Sequence, residues 1–306
     1  MKRYGVLILA VVAVSWASIL IRLCEAPPLV MAFYRMTLSA LFLLPFAGLH
    51  RSREWLRSPA SWAMALGAGL LLGLHFASWI TSLRLTSVAS SVVLVTTTPV
   101  FTALFSSRLL GERAGARAWA GIALSVAGSA LIAWGDWSRP AGPGSAMESP
   151  RAALLGDALA FAGALFAAGY FTLGRRVRGR TPLVGYLVIV YAAGGAAVAI
   201  GALARGDPFT GYPWRVYLLF LAMAVIPNLL GHSLLNWAVR RMKAYAVNVA
   251  VLGEPVLATI YAALLFGEVP GPVWALGTAT ILAGVLTVFL AERRSSGEEI
   301  LEVVPD

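Results

Sequence analysis

The chain of 306 residues contains one cysteine and few charged residues, and both shortages narrow what it can be. With Cys24 alone, no disulfide can form within the chain. The one cysteine and three histidines are too few and too scattered for the ligand spacing of a zinc or iron site, so no metal is expected. Charged residues make up 12% of the chain, where a soluble domain has about 25%. The composition therefore excludes a soluble protein.

The usual motifs of enzymes are also missing. The sequence has no H-E-x-x-H, no G-x-S-x-G and no Walker motif, and no paired carboxylates within its apolar runs. The net charge of +10 lies in short clusters between apolar runs and not along one amphipathic face, which argues against a nucleic-acid partner. No catalytic residue and no cofactor are therefore predicted. A membrane-embedded enzyme acting on a lipid-linked substrate remains the alternative to a transport function.

Hydrophobic residues make up 59% of the chain and fall into ten runs, each near the ~20 residues that cross a bilayer. We predict an all-α integral membrane protein whose ten transmembrane helices contact the lipid bilayer. The predicted helices are Tyr4 to Ile21, Leu29 to Leu49, Trp62 to Leu83, Val88 to Ser107, Ala118 to Trp134, Ala152 to Leu173, Leu183 to Leu203, Val216 to Val239, Ala244 to Phe266 and Val273 to Leu290.

The longest gap between apolar runs, residues 135–151, reads GDWSRPAGPGSAMESPR and has the composition of a flexible linker. It divides the ten predicted helices into five and five. If the N-terminus lies in the cytoplasm, 17 of the 24 Lys and Arg residues lie on that side, six on the other and Arg35 within helix 2. Cytoplasmic loops carry the excess of positive charge. Both termini are therefore predicted to be cytoplasmic, with residues 135–151 an extracytoplasmic linker and residues 292–306 a cytoplasmic tail.

The two halves of the chain are related in sequence. A shift of 156 residues leaves 12 of the 36 positions from Val93 to Gly128 identical, among them the pairs Pro99 and Pro255, Glu112 and Glu268, and Gly128 and Gly284. Because each half has five crossings, the second half enters the membrane from the opposite side. The result is an inverted repeat, which is the architecture of alternating-access carriers.

The two copies VASSVVLVTTTPVFTALFSSRLLGERAGARAWAGIALSVAG and AVNVAVLGEPVLATIYAALLFGEVPGPVWALGTATILAG resemble the paired domains of EamA-type carriers in the drug/metabolite transporter superfamily. The resemblance covers the first repeat, residues 4–134, and the second, residues 152–291. It implies a secondary transporter of the bacterial inner membrane, in many members an exporter of amino acids or other small metabolites. The second repeat departs from the first at Arg35, whose counterpart is Ile189.

Polar residues inside two predicted helices form the candidate substrate site. In helix 8, Asn228, His232 and Asn236 are spaced four apart, which places them on one helical face. In helix 3, His75 matches His232 at a shift of 157 and shares a face with Trp79. Intramembrane polar side chains normally face the bundle interior or a water-filled cavity, so these five are predicted to bind substrate. The alternative interpretation is hydrogen bonding between helices without a ligand.

Two charged residues within predicted helices complete the candidate site. Glu254, directly before Pro255, is the only carboxylate far from a predicted helix end, and its repeat counterpart is Thr98. It is a candidate for proton coupling, with a structural hydrogen bond as the alternative. Arg35 is shallow enough in helix 2 to extend toward the membrane surface or to pair with Glu25. Its alternative role is contact with a substrate carboxylate.

Overall fold

A computed structural model describes residues 2–49, 58–86, 88–137, 150–179, 181–267 and 271–302, and all regular secondary structure in these ranges is helical. These ranges contain fourteen α-helices, one 3₁₀ helix at Leu44–Leu49 and one π-helix at Ala224–His232. The α-helices are α1 (Lys2–Val14), α2 (Trp16–Leu23), α3 (Pro28–Leu43), α4 (Pro59–Leu85), α5 (Val88–Val95), α6 (Thr98–Leu109), α7 (Ala116–Trp137), α8 (Pro150–Arg178), α9 (Leu183–Arg205), α10 (Trp214–Met223), α11 (Ser233–Val239), α12 (Ala244–Val251), α13 (Glu254–Phe266) and α14 (Pro272–Glu302).

Ten stretches of these helices are long and apolar enough to cross a membrane, which confirms the predicted all-α fold with ten transmembrane helices. Span 1 consists of α1 and α2, span 4 of α5 and α6, span 8 of α10, the π-helix and α11, and span 9 of α12 and α13. Span 2 joins α3 to the start of the 3₁₀ helix, and each of the other five spans is a single α-helix. Large apolar side chains such as Ile8, Leu154 and Leu264 are more than 60% exposed, as expected for a surface in contact with lipid.

The two halves of the bundle are inverted relative to each other. Spans 2 and 7 pack with Met36 against Gly194 and Leu29 against Gly201, so α3 and α9 run antiparallel. The equivalent spans 5 and 10 also run antiparallel, because Gly121 lies against Gly284 and Gly128 against Gly277. Helices that occupy the same place in the two halves thus cross the membrane in opposite directions. This geometry is the inverted repeat that the odd number of crossings predicts.

The crossing of spans 5 and 10 depends on glycines. A Cβ atom on Gly121 would lie 2.7 Å from the carbonyl oxygen of Gly284, and one on Gly128 would lie 2.7 Å from that of Gly277. The crossing is symmetric, since Gly277 and Gly284 are the repeat counterparts of Gly121 and Gly128. Association of helices in lipid depends on such close backbone contact, which only small residues permit.

Replacing Gly128 by alanine is therefore expected to destabilise the protein. The new Cβ would meet two backbone atoms, the oxygen of Gly277 and the nitrogen of Ile281, and neither can rotate away. Overpacking of this kind costs about 1 to 3 kcal/mol. Thermal unfolding in detergent should show a lower midpoint for Gly128→Ala, whereas Gly115→Ala, with no atom within 4 Å of the new Cβ, should unfold like the wild type. Equal midpoints for the two variants would contradict this packing.

Spans 4 and 9 are interrupted at equivalent positions. Proline cannot donate a backbone hydrogen bond and clashes with the carbonyl four residues earlier. Accordingly α5 ends at Val95, four residues before Pro99, and α12 ends at Val251, four residues before Pro255. In span 4 the hydroxyls of the three consecutive threonines, residues 96–98, donate to the carbonyl oxygens of the last three residues of α5, at 2.6–2.9 Å. Each repeat thus has a broken helix near its centre.

The predicted linker and tail fall partly on helices. Residues 135–137 belong to α7 and residues 150–151 to α8, while residues 138–149 lie outside the described part of the chain. Residues 292–302 continue α14, and residues 303–306 again lie outside it. The sides of the membrane on which these segments lie stay a prediction from the charge distribution.

Candidate functional site

A cavity of about 120 Å³ lies where the two broken helices meet the rest of the bundle. Spans 4 and 9 contribute equivalent positions to its wall. The wall includes the pairs Val92 and Asn248, Val95 and Val251, Thr98 and Glu254, and Pro99 and Pro255, each separated by 156 residues. The cavity therefore lies between the two inverted repeats, where carriers of this architecture bind their substrates.

Five of the seven residues predicted from the sequence line this cavity. They are Arg35, His75, Trp79, His232 and Glu254. Asn228 and Asn236 are not part of the lining, and both are at most 1% exposed. The structure thus brings together the two histidines, the tryptophan and the two charged residues, and it separates the two asparagines from them.

The stripe of Asn228, His232 and Asn236 lies on a helix that is regular only in its second part, since a π-helix precedes α11. The π-helix Ala224–His232 has more residues per turn than an α-helix, so the four-residue step from Asn228 to His232 no longer stacks the two side chains. Of the three, only His232 lines the cavity. Direct contact of the two asparagines with substrate stays a prediction from the sequence alone.

Asn236 connects helices behind the cavity. Its Nδ2 donates to the Tyr170 hydroxyl on α8 and, at 2.8 Å, to the carbonyl oxygen of His232. Tyr170 is fully buried, and its ring lies beside that of His232, with centroids 6.3 Å apart. These contacts agree with the alternative interpretation of the stripe, hydrogen bonding between helices.

The histidines and Trp79 contribute nitrogen-containing rings to the cavity lining from spans 3 and 8. His75 Nδ1 lies 2.9 Å from the carbonyl oxygen of Gly163 on α8. Because a carbonyl only accepts, Nδ1 carries the hydrogen, and in the neutral ring Nε2 is left as an acceptor. The Trp79 ring is parallel to that of His75 with centroids 6.2 Å apart, and the His232 ring meets Phe76 edge-on at 5.2 Å. The aromatic part of the cavity lining therefore includes rings with polar nitrogen atoms.

Arg35 is 1% exposed, so the expectation that it extends toward the membrane surface is wrong. Its Nε donates to Asn228 Oδ1 at 2.6 Å, and its guanidinium carbon lies 3.9 Å from the centre of the Phe76 ring. The reason is that the π-helix of span 8 covers α3 at this depth: Ser39 Oγ, one turn further along α3, lies 3.0 Å from the carbonyl oxygen of Ala224. Arg35 is held inside the bundle at the cavity wall.

Glu254 is the first residue of α13 and lines the cavity at the break in span 9. A carboxylate is favoured at this position, because the free backbone N–H groups of a helix N-terminus carry partial positive charge. Glu254 and Arg35 are close enough for their charges to interact. The cavity therefore combines one fixed cation with one carboxylate.

Three residues that line the cavity each have one polar atom without a hydrogen-bond partner among the described residues. These atoms are Arg35 Nη1, Trp79 Nε1 and His232 Nδ1, and all three are buried. Buried polar atoms are almost always satisfied, so such atoms mark places where water or a ligand binds. The described residues contain no group of three or more His, Cys, Asp or Glu side chains that could hold a metal ion. The arrangement suits an organic solute with polar groups.

Several lining residues escaped the sequence analysis. Phe76 and Phe171 contribute aromatic surface, and their apolar character gives no indication that they face a cavity. Asn248 donates to Thr102 Oγ1 at 3.1 Å and so joins span 9 to span 4. The repeat alignment pairs Asn248 with Val92. A polar residue at a position that is apolar in the other repeat was the one signal in the sequence that Asn248 lines the cavity.

Ten apolar helices in two inverted repeats, with polar atoms converging on a cavity between them, are the architecture of a membrane transporter. Two matches to the EamA-like transporter family, at residues 3–134 and 154–290, correspond to the two halves and together cover most of the chain. The chain belongs to the EamA-like transporter family. It is a multi-pass membrane protein.

Individual relatives agree with this assignment. A protein of Archaeoglobus fulgidus described as an uncharacterized transporter is 26% identical over 291 residues, which is 91% of this chain and 95% of that protein. Another uncharacterized transporter, from Synechocystis sp., is 24% identical over 221 residues, covering 72% of this chain and 64% of that protein. A crystal structure of a protein 23% identical in sequence superposes with a TM-score of 0.76 over 96% of this chain and 98% of that chain. That likeness shows the shared fold.

Proposed function

We propose that the chain is a secondary transporter that moves a small metabolite, such as an amino acid, out of a bacterial cell across the inner membrane by alternating access. The observation that carries this proposal is the cavity between the inverted repeats, lined at equivalent positions of spans 4 and 9. Export and the bacterial inner membrane follow the resemblance to EamA-type carriers.

Within this proposal, His75, Trp79 and His232 donate to or accept from the substrate, since they line the cavity and two of their ring nitrogens have no described partner. Arg35 binds a carboxylate of the substrate, and Glu254 exchanges protons. Asn228 and Asn236 support these groups from behind the cavity wall. The aromatic and aliphatic remainder of the wall accepts the apolar part of the solute.

The broken spans supply the element that moves. A helix interrupted at proline has few backbone hydrogen bonds at the break, so its two halves tilt separately more readily than a continuous helix bends. Because α6 and α13 begin at the cavity, a change in their tilt opens or closes the cavity toward one side of the membrane. The inverted repeat makes the two tilts equivalent, which gives two states of similar free energy.

The test is solute flux in liposomes that contain the purified full-length chain. Labelled amino acids and other small metabolites are offered singly, and entry is measured against concentration and against an excess of unlabelled solute inside. Saturable uptake that accelerates with internal solute supports a carrier. Flux that rises linearly with concentration and shows no such acceleration would contradict alternating access, and chemical conversion of the solute would instead indicate an enzyme.

The proposed topology predicts where single cysteines react. Cys24 is first replaced by alanine, since it is the only natural thiol and is buried. A cysteine placed at Ser145 in the linker should then react with a membrane-impermeant maleimide added to intact cells, because the charge distribution places residues 135–151 outside. A cysteine at Gly179, at the opposite end of span 6, should react only after the cells are opened. The reverse pattern would overturn the orientation.

A further inference from the structure

Arg35 is held by a network in which its neighbour Asn228 takes part twice. Asn228 Oδ1 accepts from Arg35 Nε at 2.6 Å, and Asn228 Nδ2 donates to the Arg35 carbonyl oxygen at 3.2 Å. The same Nδ2 lies 3.3 Å from Ser39 Oγ, which itself donates to the Arg35 carbonyl at 2.7 Å. Both the side chain and the backbone of Arg35 are therefore fixed by one amide.

Asn228 is itself fixed by the π-helix. The carbonyl oxygen of Asn228 accepts from the Tyr191 hydroxyl at 3.1 Å and from Ser233 Oγ at 3.4 Å, so span 7 also holds this turn. With Nε bonded to Asn228, the guanidinium still has Nη1 without a partner among the described residues, and Arg35 lines the cavity. The Phe76 ring, 3.9 Å from the guanidinium carbon, fixes the plane of the group.

A buried guanidinium held at Nε presents its remaining N–H groups in a planar fork, which matches the two oxygens of a carboxylate. The wall around it is mainly apolar and aromatic, with Phe76, Phe171, Val95 and Leu235 among its members. Of the described lining residues only Glu254 carries negative charge, and it disfavours a second anionic group on the same solute. The cavity thus suits one carboxylate attached to an apolar body.

From this geometry we propose that Arg35 is the carboxylate-binding group of the cavity and that Asn228 is the residue that positions it. The physiological role of this carboxylate site rests on the proposed transport function. Binding of a carboxylate can be measured without measuring transport. It assigns Asn228 an indirect role, through Arg35, in place of direct contact with the solute.

The test is thermal unfolding of the purified full-length chain in detergent with three carboxylates and their uncharged carboxamides. The probes are acetate, 3-phenylpropanoate and indole-3-acetate, because the size that fits the wall is unknown in advance. A ligand that binds the folded state raises the unfolding midpoint by an amount that grows with the logarithm of its concentration divided by its dissociation constant. We expect at least one carboxylate to stabilise the wild type at about tenfold lower concentration than its amide, or lower. No such preference for any of the three would overturn the proposal.

Two substitutions separate positioning from general stability. Asn228→Ala removes the contact with Nε, and Asn228→Asp keeps an oxygen there but adds a charge that neutralises Arg35, so both should lose the preference for the carboxylate. Arg178→Gln is the control, because Arg178 is equally buried but lies outside the cavity lining and donates to the carbonyl oxygens of Asn236 and Thr181. It should lower the midpoint without changing the preference. A wild-type preference in both Asn228 variants would contradict the positioning role.

These results are independent of the flux experiment. A chain that prefers carboxylates but moves no solute across liposomes would contradict the proposed transport and leave Arg35 as a carboxylate-binding group. A chain that transports solutes while binding carboxylate and amide equally would contradict the assignment of Arg35 and Asn228 alone.

Discussion

Glu254→Gln is expected to abolish proton-driven accumulation of solute in liposomes while solute exchange at equal pH continues. Glu254 is the only acid among the described residues that line the cavity, and it lies at the break in span 9. Protonation removes the one negative charge beside Arg35, so the charge of the cavity changes with each proton bound or released. Glutamine has the same shape but cannot bind a proton, and therefore the cavity keeps one charge state at every pH.

The measurement compares accumulation under a pH gradient with exchange at equal pH on both sides. In Glu254→Gln the ratio of internal to external solute should fall to about one, the value for a carrier without coupling. Asp157→Asn is the control, because the Asp157 carboxylate accepts from Thr86 and Ser90 at 2.7 and 2.6 Å and lies outside the cavity lining. Accumulation that persists in Glu254→Gln would leave Glu254 with a structural role at the helix break.

The fold could be predicted from the sequence because each step depends on local properties of the chain. Ten apolar runs of sufficient length fix the number of spans, and the odd number in each half fixes the inversion. The breaks in spans 4 and 9 are also local, since Pro99 and Pro255 each end the preceding helix four residues earlier. The alignment of the repeats places the two prolines at the same position.

The candidate site could be predicted only in part, because its polar contacts join distant parts of the chain. His75, Trp79 and His232 are recognisable as polar or amphipathic groups within apolar helices, and they do line the cavity. The pairing of Arg35 with Asn228 spans 193 residues and depends on span 8 packing over α3. Asn228 contacts Arg35 from a π-helix, and the spacing of residues in the sequence does not predict a π-helix. On the basis of the sequence, helix 8 is therefore treated as a regular α-helix. For this reason Arg35 is expected from the sequence to reach the membrane surface, whereas the structure buries it.

Arg35→Gln is expected to reduce transport of a carboxylate solute more than any other single change in the cavity. The substitution removes the only positive charge among the described lining residues and leaves the solute carboxylate without a charged partner. Loss of one partner of a desolvated charge pair costs about 2 to 5 kcal/mol, which corresponds to roughly 30-fold to several thousand-fold in affinity. Arg35→Lys keeps the charge but cannot donate to Asn228 and the solute in one plane, so it should fall between the wild type and Arg35→Gln.

Stability is the competing explanation for such a loss, because Asn228 Oδ1 loses its donor in Arg35→Gln. An unpaired buried acceptor costs about 1 to 3 kcal/mol, so transport must be expressed per folded molecule, with the folded fraction taken from thermal unfolding. Arg178→Gln provides the comparison: Arg178 is equally buried at 1% exposure but lies outside the cavity lining and donates to the carbonyl oxygens of Asn236 and Thr181. That variant should unfold earlier yet keep its transport per folded molecule and its preference for carboxylates. If Arg35→Gln and Arg178→Gln lose transport to the same extent, the effect belongs to folding, and the carboxylate is bound elsewhere in the cavity.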